Sequence, residues 1–312
     1  MEPPSTPLTA LVLEISSPPL KIDTEPPPAS EAFCSWHVAS KNSPTEEKPD
    51  LMAFPPELLA EQATIIGQEL FKKVVPSHCL GSIWPKKNKP GNEHLAHTVH
   101  VTITHFKSVT NCVIATCLRD PNMTAQEVRA RVVEHWIQVA QECQIMRKYS
   151  PLHAILCALQ STSICGLKNT WGKVYRESYQ NFKELCSQDK SLSRELMNKE
   201  APSKFVTQEI NIQKSRVSSH PYHDETPVVP FLPIFFNNLV MLHLTMEDYL
   251  EGGKINLKKR NEEYKTMREI LLLQMAANKK LQPQPQGAIW GLVLRHEEVQ
   301  NESYILSCQL EP

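Results

Sequence analysis

Residues 226–274 read TPVVPFLPIFFNNLVMLHLTMEDYLEGGKINLKKRNEEYKTMREILLLQ. Prolines open this stretch, an apolar run follows, and a turn around Glu251, Gly252 and Gly253 separates that run from a charged amphipathic segment. The pattern predicts a helical hairpin whose first helix is too apolar to be an ordinary solvated surface helix. Such a helix either packs into a core or binds a partner, and the choice between the two decides the function.

The composition is that of a globular chain of 312 residues, long enough to bury a sizeable core. Hydrophobic residues make up 41% and charged residues 21%, and the formal net charge is −1. Nucleic-acid binding needs a basic face that releases counterions, so this balance argues against it. The nine cysteines form no CxxC pair, which favours reduced thiols and a cytoplasmic location. We expect no membrane span, because no run of about 18 apolar residues occurs.

Residues 1–50 differ in composition from the rest of the chain, because prolines cluster there among Ser, Thr, Glu and Lys. Such a segment cannot bury enough apolar area to offset its conformational entropy, so we expect a disordered tail. Residues 4–7 have the PxxP spacing that SH3-type grooves bind, and both an SH3-type contact and plain disorder stay open. The folded domain is therefore predicted to span residues 51–312.

Helical spacing dominates the chain after the tail, and the predicted fold class is all-α. Residues 57–75 and 125–148 each carry an apolar stripe at helical spacing, and Thr124 with Glu127 forms a capping box before the second stripe. Residues 98–106, TVHVTITHF, alternate like a strand, although a lone strand among helices would lack a partner. Shorter helices are predicted over residues 152–160, 167–185 and 193–198.

Histidines form the clusters that most resemble a metal site. They lie at His94, His97, His100 and His105, and again at His220 and His223. A zinc site needs three or four ligands with Cys or carboxylate partners, and the run HLAHTVH lacks the Glu of an HExxH motif. We therefore expect solvated or partly buried histidines and no metal. A metal-dependent enzyme is a third, more distant hypothesis.

Sequence motifs for catalysis are absent from the chain. It contains no GxGxxG, GxxxxGK[ST] or GxSxG motif, so neither a phosphate-binding loop nor a hydrolase nucleophile is indicated. We expect no catalytic residues and no cofactor, and binding rather than bond-making. The basic run KINLKKR at residues 254–260 is predicted to be a solvated helix face, with a membrane or an acidic partner as the alternative.

Several segments together resemble the catalytic domain of Ras-superfamily guanine nucleotide exchange factors, the Cdc25-homology or RasGEF domain. Within that family the sequence is most similar to the Ral guanine nucleotide dissociation stimulator branch. The resemblance implies a compact helical domain with a protruding hairpin, and a helix rather than a strand at residues 98–106. The matching segments are residues 54–84, 125–148, 152–171, 193–206, 226–274 and 302–312.

The resemblance implies an exchange factor that binds a Ral-type small GTPase of the Ral/Ras family and acts as a monomer without covalent chemistry. In the family, the hairpin opens the nucleotide site, and an apolar side chain enters the position of Mg²⁺. The implied GTPase-binding residues of the hairpin are Phe236, Asn237, Asn238, Leu239, Val240, Met241, His243 and Leu244, with Phe106, Lys107, Lys148 and Tyr149 as additional GTPase-facing candidates. Residues 257–273 would brace the hairpin, and the predicted core includes Trp136, Leu152, Ile155 and Leu159.

The sequence departs from the family pattern at several of these positions. His243 stands where the first helix of the hairpin carries an acidic residue, and Pro233 stands where a glycine is usual. The departures occur at Lys107, Lys148, Gly166, Pro233, Asn238 and His243. They leave open a second class of function, an exchange-impaired protein that uses the same fold to bind GTPases.

Overall fold

The computed structural model describes residues 53–81, 83, 95–118, 126–196, 230–277 and 300–311. The predicted tail with its PxxP segment, the Thr124 cap, His94, His220 and His223 lie outside these ranges. The described α-helices, in chain order, are α1 (Pro56–Lys73), α2 (His97–Cys117), α3 (Gln126–Ile145), α4 (Tyr149–Leu159), α5 (Thr162–Cys165), α6 (Lys168–Lys173), α7 (Arg176–Leu196), α8 (Leu232–Thr245), α9 (Leu257–Ala277) and α10 (Gln300–Leu310). The all-α prediction is confirmed, since the described strands are only β1 (Tyr249–Leu250) and β2 (Lys254–Ile255).

The strand-like segment 98–106 lies inside α2, which confirms the helix that the family resemblance implied. Its apolar residues also fit a helix once the window is longer, because Val99, Ile103, Phe106 and Val113 recur at helical spacing. Val99, Phe106 and Val113 each belong to a different one of three apolar clusters. Helix α2 therefore joins the three parts of the core.

The main apolar cluster lies between α3 and α4. It contains the predicted core residues Trp136, Leu152, Ile155 and Leu159, all of which are buried. The Trp136 indole N–H donates to the Thr116 hydroxyl at 2.8 Å, so its polar atom is satisfied inside the core. A second cluster lies beneath α8, and a third surrounds Phe106 and Phe231.

The helices predicted over residues 167–185 and 193–198 are divided differently in the structure. Helix α6 ends at Lys173, Val174 is extended with ψ 133°, and a new helix, α7, runs through residues 176–196. The backbone N–H of Tyr175 donates to the Glu134 carboxylate of α3 at 2.6 Å, immediately before α7 begins. This helix start depends on a residue distant in sequence, so the local pattern did not reveal it.

Candidate functional site

The first half of α8 is anchored in the core. Phe236 is 2% exposed and Leu239 is fully buried, and both belong to the cluster that also contains Phe71, Ile270 and Leu273. Full burial of one such side chain contributes about 1.5–3 kcal/mol relative to its exposure. Helix α9 therefore braces α8, as predicted, and the cluster holds both helices against the end of α1.

The outer half of α8 projects apolar side chains into solvent. Met241 is 50% exposed and Leu244 is 71% exposed. Beyond the end of α8, Tyr249, Leu250 and Ile255 are also more than half exposed. Large exposed apolar side chains concentrated at one place mark an interaction surface more often than scattered ones do. The inner half of α8 therefore packs into the core, while its outer half is exposed and available to a partner.

The tip of the hairpin, residues 246–256, is a tight turn closed by two short strands. Tyr249 pairs with Ile255 and Leu250 pairs with Lys254 in an antiparallel ladder. Gly252 and Gly253 have φ of +77° and +71°, so the turn uses backbone conformations that favour glycine. The turn predicted from Glu251, Gly252 and Gly253 is confirmed, whereas the two strands were not predicted.

Asn256 connects the tip to the start of α9. Its side-chain amide donates to the Glu247 carbonyl at 2.9 Å, and its side-chain oxygen accepts the Lys259 N–H at 3.2 Å. The second contact satisfies one of the free N–H groups at the N-terminus of α9. Asn256 therefore fixes the direction in which α9 leaves the turn.

An ionic network lies between the two helices of the hairpin. Asp248 accepts from Lys259 at 2.9 Å and from Arg260 at 2.8 Å, while His243 Nδ1 lies 3.5 Å from Lys259 Nζ. The hydrogen bond from Lys259 is the largest of the effects that lower the pKa of Asp248. Because the Lys259 side chain is only 1% exposed, the prediction that residues 254–260 form a solvated face is wrong at Lys259.

Gly81 fits directly against α8. An ideal Cβ at Gly81 would lie 2.6 Å from both the Leu239 carbonyl oxygen and His243 Cβ, and 3.0 Å from Val240 Cα. Real Cβ atoms essentially never approach other atoms within 3.0 Å, so a side chain at this position requires α8 or the Gly81 segment to move. The segment that follows the short 3₁₀ turn Pro76–Cys79 therefore supports one side of the hairpin helix.

Two glutamines join α9 to α1. The Gln274 amide donates to the carbonyl oxygens of Phe71 at 2.8 Å and Val74 at 2.7 Å, which lie at the C-terminal end of α1. The Gln68 amide donates in turn to the Ala277 carbonyl at 3.3 Å. These contacts satisfy carbonyls that a helix end leaves without an intrahelical partner. The second helix of the hairpin is thus fixed to the domain by polar contacts as well as by packing.

The residues predicted on α8 fall into three groups by exposure. Phe236, Asn237 and Leu239 are buried, Asn238, Val240 and His243 are half-buried, and Met241 and Leu244 are exposed. The Asn237 side-chain oxygen has no hydrogen-bond partner among the described residues. Pro233 occupies the first turn of α8, where a missing N–H costs no helical hydrogen bond. Gly166, another departure from the family pattern, is exposed at the end of α5.

Two of the additional candidates, Phe106 and Lys107, lie on α2, and Phe106 packs against the entry to α8. The Phe106 ring lies 5.2 Å from the ring of Phe231, the residue that precedes α8. Phe106 also lines a small apolar pocket with Pro233 and Phe236. Lys107 follows it on α2, and burial lowers the pKa of its ammonium group.

The other two additional candidates, Lys148 and Tyr149, lie at the start of α4. Lys148 is 3% exposed and immediately precedes α4, and its backbone N–H donates to Cys143 at 2.7 Å. Tyr149 is half-buried and packs against both the main apolar cluster and the cluster around Phe106. The structure therefore places both residues in the packing between α3 and α4.

The described histidines do not assemble into a metal centre. Among the residues that the structure describes, no group of three or more His, Cys, Asp or Glu side chains could hold a metal ion. Burial lowers the pKa of His105 to about 4, while a hydrogen bond with the Ala63 backbone opposes that effect. Likewise, no described helix has the length and apolar character needed to cross a membrane.

The sequence alone did not identify three residues that shape this site: Gly81, Asp248 and Gln274. Gly81 carried a weak signal, because the chain has only nine glycines and this one follows a predicted helix. Asp248 and Gln274 carried no signal in the sequence. The hairpin turn brings Lys259 to Asp248, and the return of α9 to α1 brings the carbonyls of Phe71 and Val74 to Gln274.

Comparison with known proteins identifies the family to which the chain belongs. The RasGEF domain model matches residues 58–261, and the chain belongs to the RasGEF family. It is 44% identical over 297 residues to the human "Ral-GDS-related protein", covering 95% of this chain and 61% of that protein. It is 38% identical over 277 residues to the human "Ral guanine nucleotide dissociation stimulator-like 1", covering 85% of this chain and 36% of that protein.

A third relative supports the same branch. The canine "Ral guanine nucleotide dissociation stimulator-like 2" is 33% identical over 294 residues, which cover 88% of this chain and 37% of that protein. The resemblance to the Ral guanine nucleotide dissociation stimulator branch is therefore confirmed. The chain spans less than two thirds of the length of each of these relatives.

Proposed function

We propose that this protein is a guanine nucleotide exchange factor for a Ral-type small GTPase, and that its hairpin opens the nucleotide site. Membership of the RasGEF family supports the reaction class, and the names of the similar proteins support Ral as the partner. The observation that carries the proposal is the exposure of Met241 and Leu244 on a helix whose inner half is buried. A rigid, apolar projection of this kind suits insertion into another protein.

To accelerate exchange, this protein must weaken the very tight complex of the GTPase with GDP. A small GTPase holds GDP through backbone N–H groups and Mg²⁺, and an affinity near 1 pM corresponds to about 16 kcal/mol. An exchange factor that binds the nucleotide-free GTPase more tightly than the loaded form must, by reciprocal linkage, weaken nucleotide binding. Apolar side chains such as Leu244 offer no ligand to Mg²⁺, so their insertion would favour its loss.

A rigid base would make such an insertion effective. If α8 bent when it met the GTPase, binding energy would be spent on deforming the exchange factor rather than the nucleotide site. Gly81 supports one side of α8, and Gln274 fixes α9 to the end of α1. We propose that these contacts, together with buried Phe236 and Leu239, hold the outer residues in the orientation that exchange requires.

Release of a fluorescent GDP analogue from purified Ral, Ras and Rap tests this function. Each GTPase is loaded with the analogue, mixed with excess unlabelled GDP, and followed with and without this protein. Acceleration for Ral alone is the expected result. Acceleration for Ras or Rap but not Ral would contradict the proposed specificity, and no acceleration for any of them would contradict exchange activity itself.

One observation favours a second candidate, a GTPase-binding protein with impaired exchange. His243 replaces the acidic residue of the family pattern, and its Nδ1 lies 3.5 Å from Nζ of the buried Lys259, so this position carries no carboxylate. This candidate predicts stable binding to nucleotide-free Ral without accelerated release. Under it, His243→Asp should raise the release rate, whereas the uncharged control His243→Asn should not. An unchanged rate for His243→Asp would show that the missing carboxylate does not limit exchange.

A further inference from the structure

Helix α9 carries a row of exposed side chains along one face. The members of this outer row, all of them exposed, are Leu257, Asn261, Tyr264, Arg268, Leu271 and Met275. Successive members are alternately four and three positions apart, so every second member is seven positions from the last. This is the heptad spacing of a coiled coil, in which such side chains insert as knobs into the holes of a partner helix.

The outer row is mainly apolar, and the domain does not cover it. Leu257 is 75% exposed, Tyr264 62% and Met275 64%. Ile270 and Leu273 lie on the opposite face of α9 and are buried in the cluster beneath α8. The row is therefore a second apolar face of the same helix, and it is separate from the surface of α8 that is proposed to act on the GTPase. A contiguous row of large exposed apolar side chains marks an interaction site.

Basic side chains border the outer row. Lys258 and Lys265 are both exposed, and each follows a member of the row by one position, while Arg268 lies within the row. Lys265 Nζ lies 2.7 Å from Glu262 of the same helix, and an exposed ion pair of this kind is weak enough to be exchanged for another. The other two acidic residues of α9 are buried. The outer face of the helix is thus apolar and positively charged.

We propose that the outer row of α9 is a docking site for an acidic amphipathic helix of a partner protein, which packs against it as a short coiled coil. Apolar side chains of the partner pack between Leu257, Tyr264 and Leu271. Carboxylates that flank the partner's apolar side chains face Lys258 and Lys265, and such flanking charges select the partner in coiled coils. The contact spans about three heptads, so the complex belongs to the weak and transient class.

Two other occupants fit the outer row less well. A second copy of this chain would bring the same flanking cations, Lys258 and Lys265, against one another, and like charges in register disfavour pairing. A membrane surface would bury Asn261 and Arg268 together with their apolar neighbours, which costs free energy in lipid. In a coiled coil, by contrast, a polar residue within the row is tolerated and fixes the register of the two helices.

Binding of a designed peptide to the full chain tests the proposal. The probe is a fluorescently labelled three-heptad peptide with leucine and isoleucine at its core positions and glutamate at its flanking positions. The matched control peptide has lysine at the flanking positions, and fluorescence anisotropy gives both dissociation constants. We expect the acidic peptide to bind at least about tenfold more tightly than the basic one at low salt, with a smaller difference at high salt. Equal affinities, or no binding of the acidic peptide, would overturn the proposal.

Two tyrosines provide matched variants that locate the site. Tyr264 is 62% exposed on the outer row, and Tyr304 is 55% exposed on α10. Tyr264→Ser should weaken binding of the acidic peptide by at least about tenfold, whereas Tyr304→Ser should leave it unchanged. Thermal unfolding, which neither change should affect, confirms that both variants are folded. Equal affinities of the two variants for the peptide would rule out the outer row as its site.

The two rejected occupants are tested with the same variant. Sedimentation equilibrium measures self-association of the chain, and flotation with vesicles that contain phosphatidylserine measures membrane binding. We expect neither to depend on Tyr264. A dimer that Tyr264→Ser abolishes would assign the row to a second copy, and vesicle binding that it abolishes would assign the row to a membrane, so either result would overturn the proposal. None of these measurements uses GDP release, so their outcome is independent of the proposed exchange activity.

Discussion

Replacing Gly81 by alanine would add one methyl group against the helix that carries the proposed interface. The new Cβ would lie 2.6 Å from the Leu239 carbonyl oxygen and from His243 Cβ, whereas ordinary van der Waals contact begins at 3.4 Å. The contact with Leu239 involves backbone, which cannot rotate away as a flexible side chain would. Helix α8 or the Gly81 segment must therefore move by about 0.8 Å, the difference between these two distances.

A movement of this size should affect exchange more than folding. Overpacking by one methyl group costs about 1–3 kcal/mol of stability, which leaves most domains folded. A displacement of about 1 Å in groups that act on a partner can reduce a rate by about a hundredfold. We therefore expect Gly81→Ala to remain folded and to stimulate GDP release from Ral about ten- to a hundredfold less than the unaltered protein.

The matched control is Gly172→Ala on α6. A Cβ at Gly172 would meet no atom of the described residues within 4 Å, so this change adds a methyl group without moving any element. Both variants are compared by release of a fluorescent GDP analogue and by thermal unfolding. Gly172→Ala should match the unaltered protein in exchange. If folded Gly81→Ala also matched it, Gly81 would not position the hairpin and the reasoning would fail.

Two further predictions concern the polar contacts that hold the hairpin. Gln274→Ala removes the donor to the buried carbonyls of Phe71 and Val74, so the free energy of unfolding in urea should fall by about 1–3 kcal/mol, and an unchanged value would contradict the role of this contact. Lys259 lowers the pKa of the Asp248 carboxyl below its ordinary value of 3.8 in the folded protein. Their ion pair therefore stabilises the fold fully above pH 3.8, and this contribution is lost as the pH falls through the lower folded-state pKa. Asp248→Asn should therefore reduce the midpoint of thermal unfolding at pH 7 but much less in strong acid, and an equal reduction at both pH values would refute this.

The hairpin shows what local sequence patterns can predict. Its apolar first helix, its glycine turn and its charged second helix were all evident in residues 226–274, because each depends on neighbours within a few positions. Helix α2 was harder to predict. Its apolar residues alternate like those of a strand over residues 98–106, but they recur at helical spacing over the longer segment. The family resemblance resolved that conflict correctly, and the burial of Val99, Phe106 and Val113 gives the physical reason.

Contacts between distant parts of the chain were not predictable in the same way. Lys259 belongs to a basic run that looks solvated, yet the turn brings Asp248 against it and the side chain is buried. The division of α8 into a buried and an exposed half likewise depends on distant residues, because Phe71 of α1 and Ile270 and Leu273 of α9 cover only its inner half. Gly81 and Gln274 act on the hairpin from outside its own sequence, so a local pattern gives no measure of their effect.

The most direct test of the central claim compares two exposed apolar residues. Leu244 is 71% exposed at the outer end of α8, and Ile305 is 61% exposed on α10, away from the hairpin. Each is replaced by serine, and release of the GDP analogue from Ral is measured beside thermal unfolding, which neither change should affect. The account predicts that Leu244→Ser lowers the stimulated rate by at least about tenfold, while Ile305→Ser leaves it unchanged. Equal rates for Leu244→Ser and the unaltered protein would contradict the claim that the outer half of α8 acts on the GTPase.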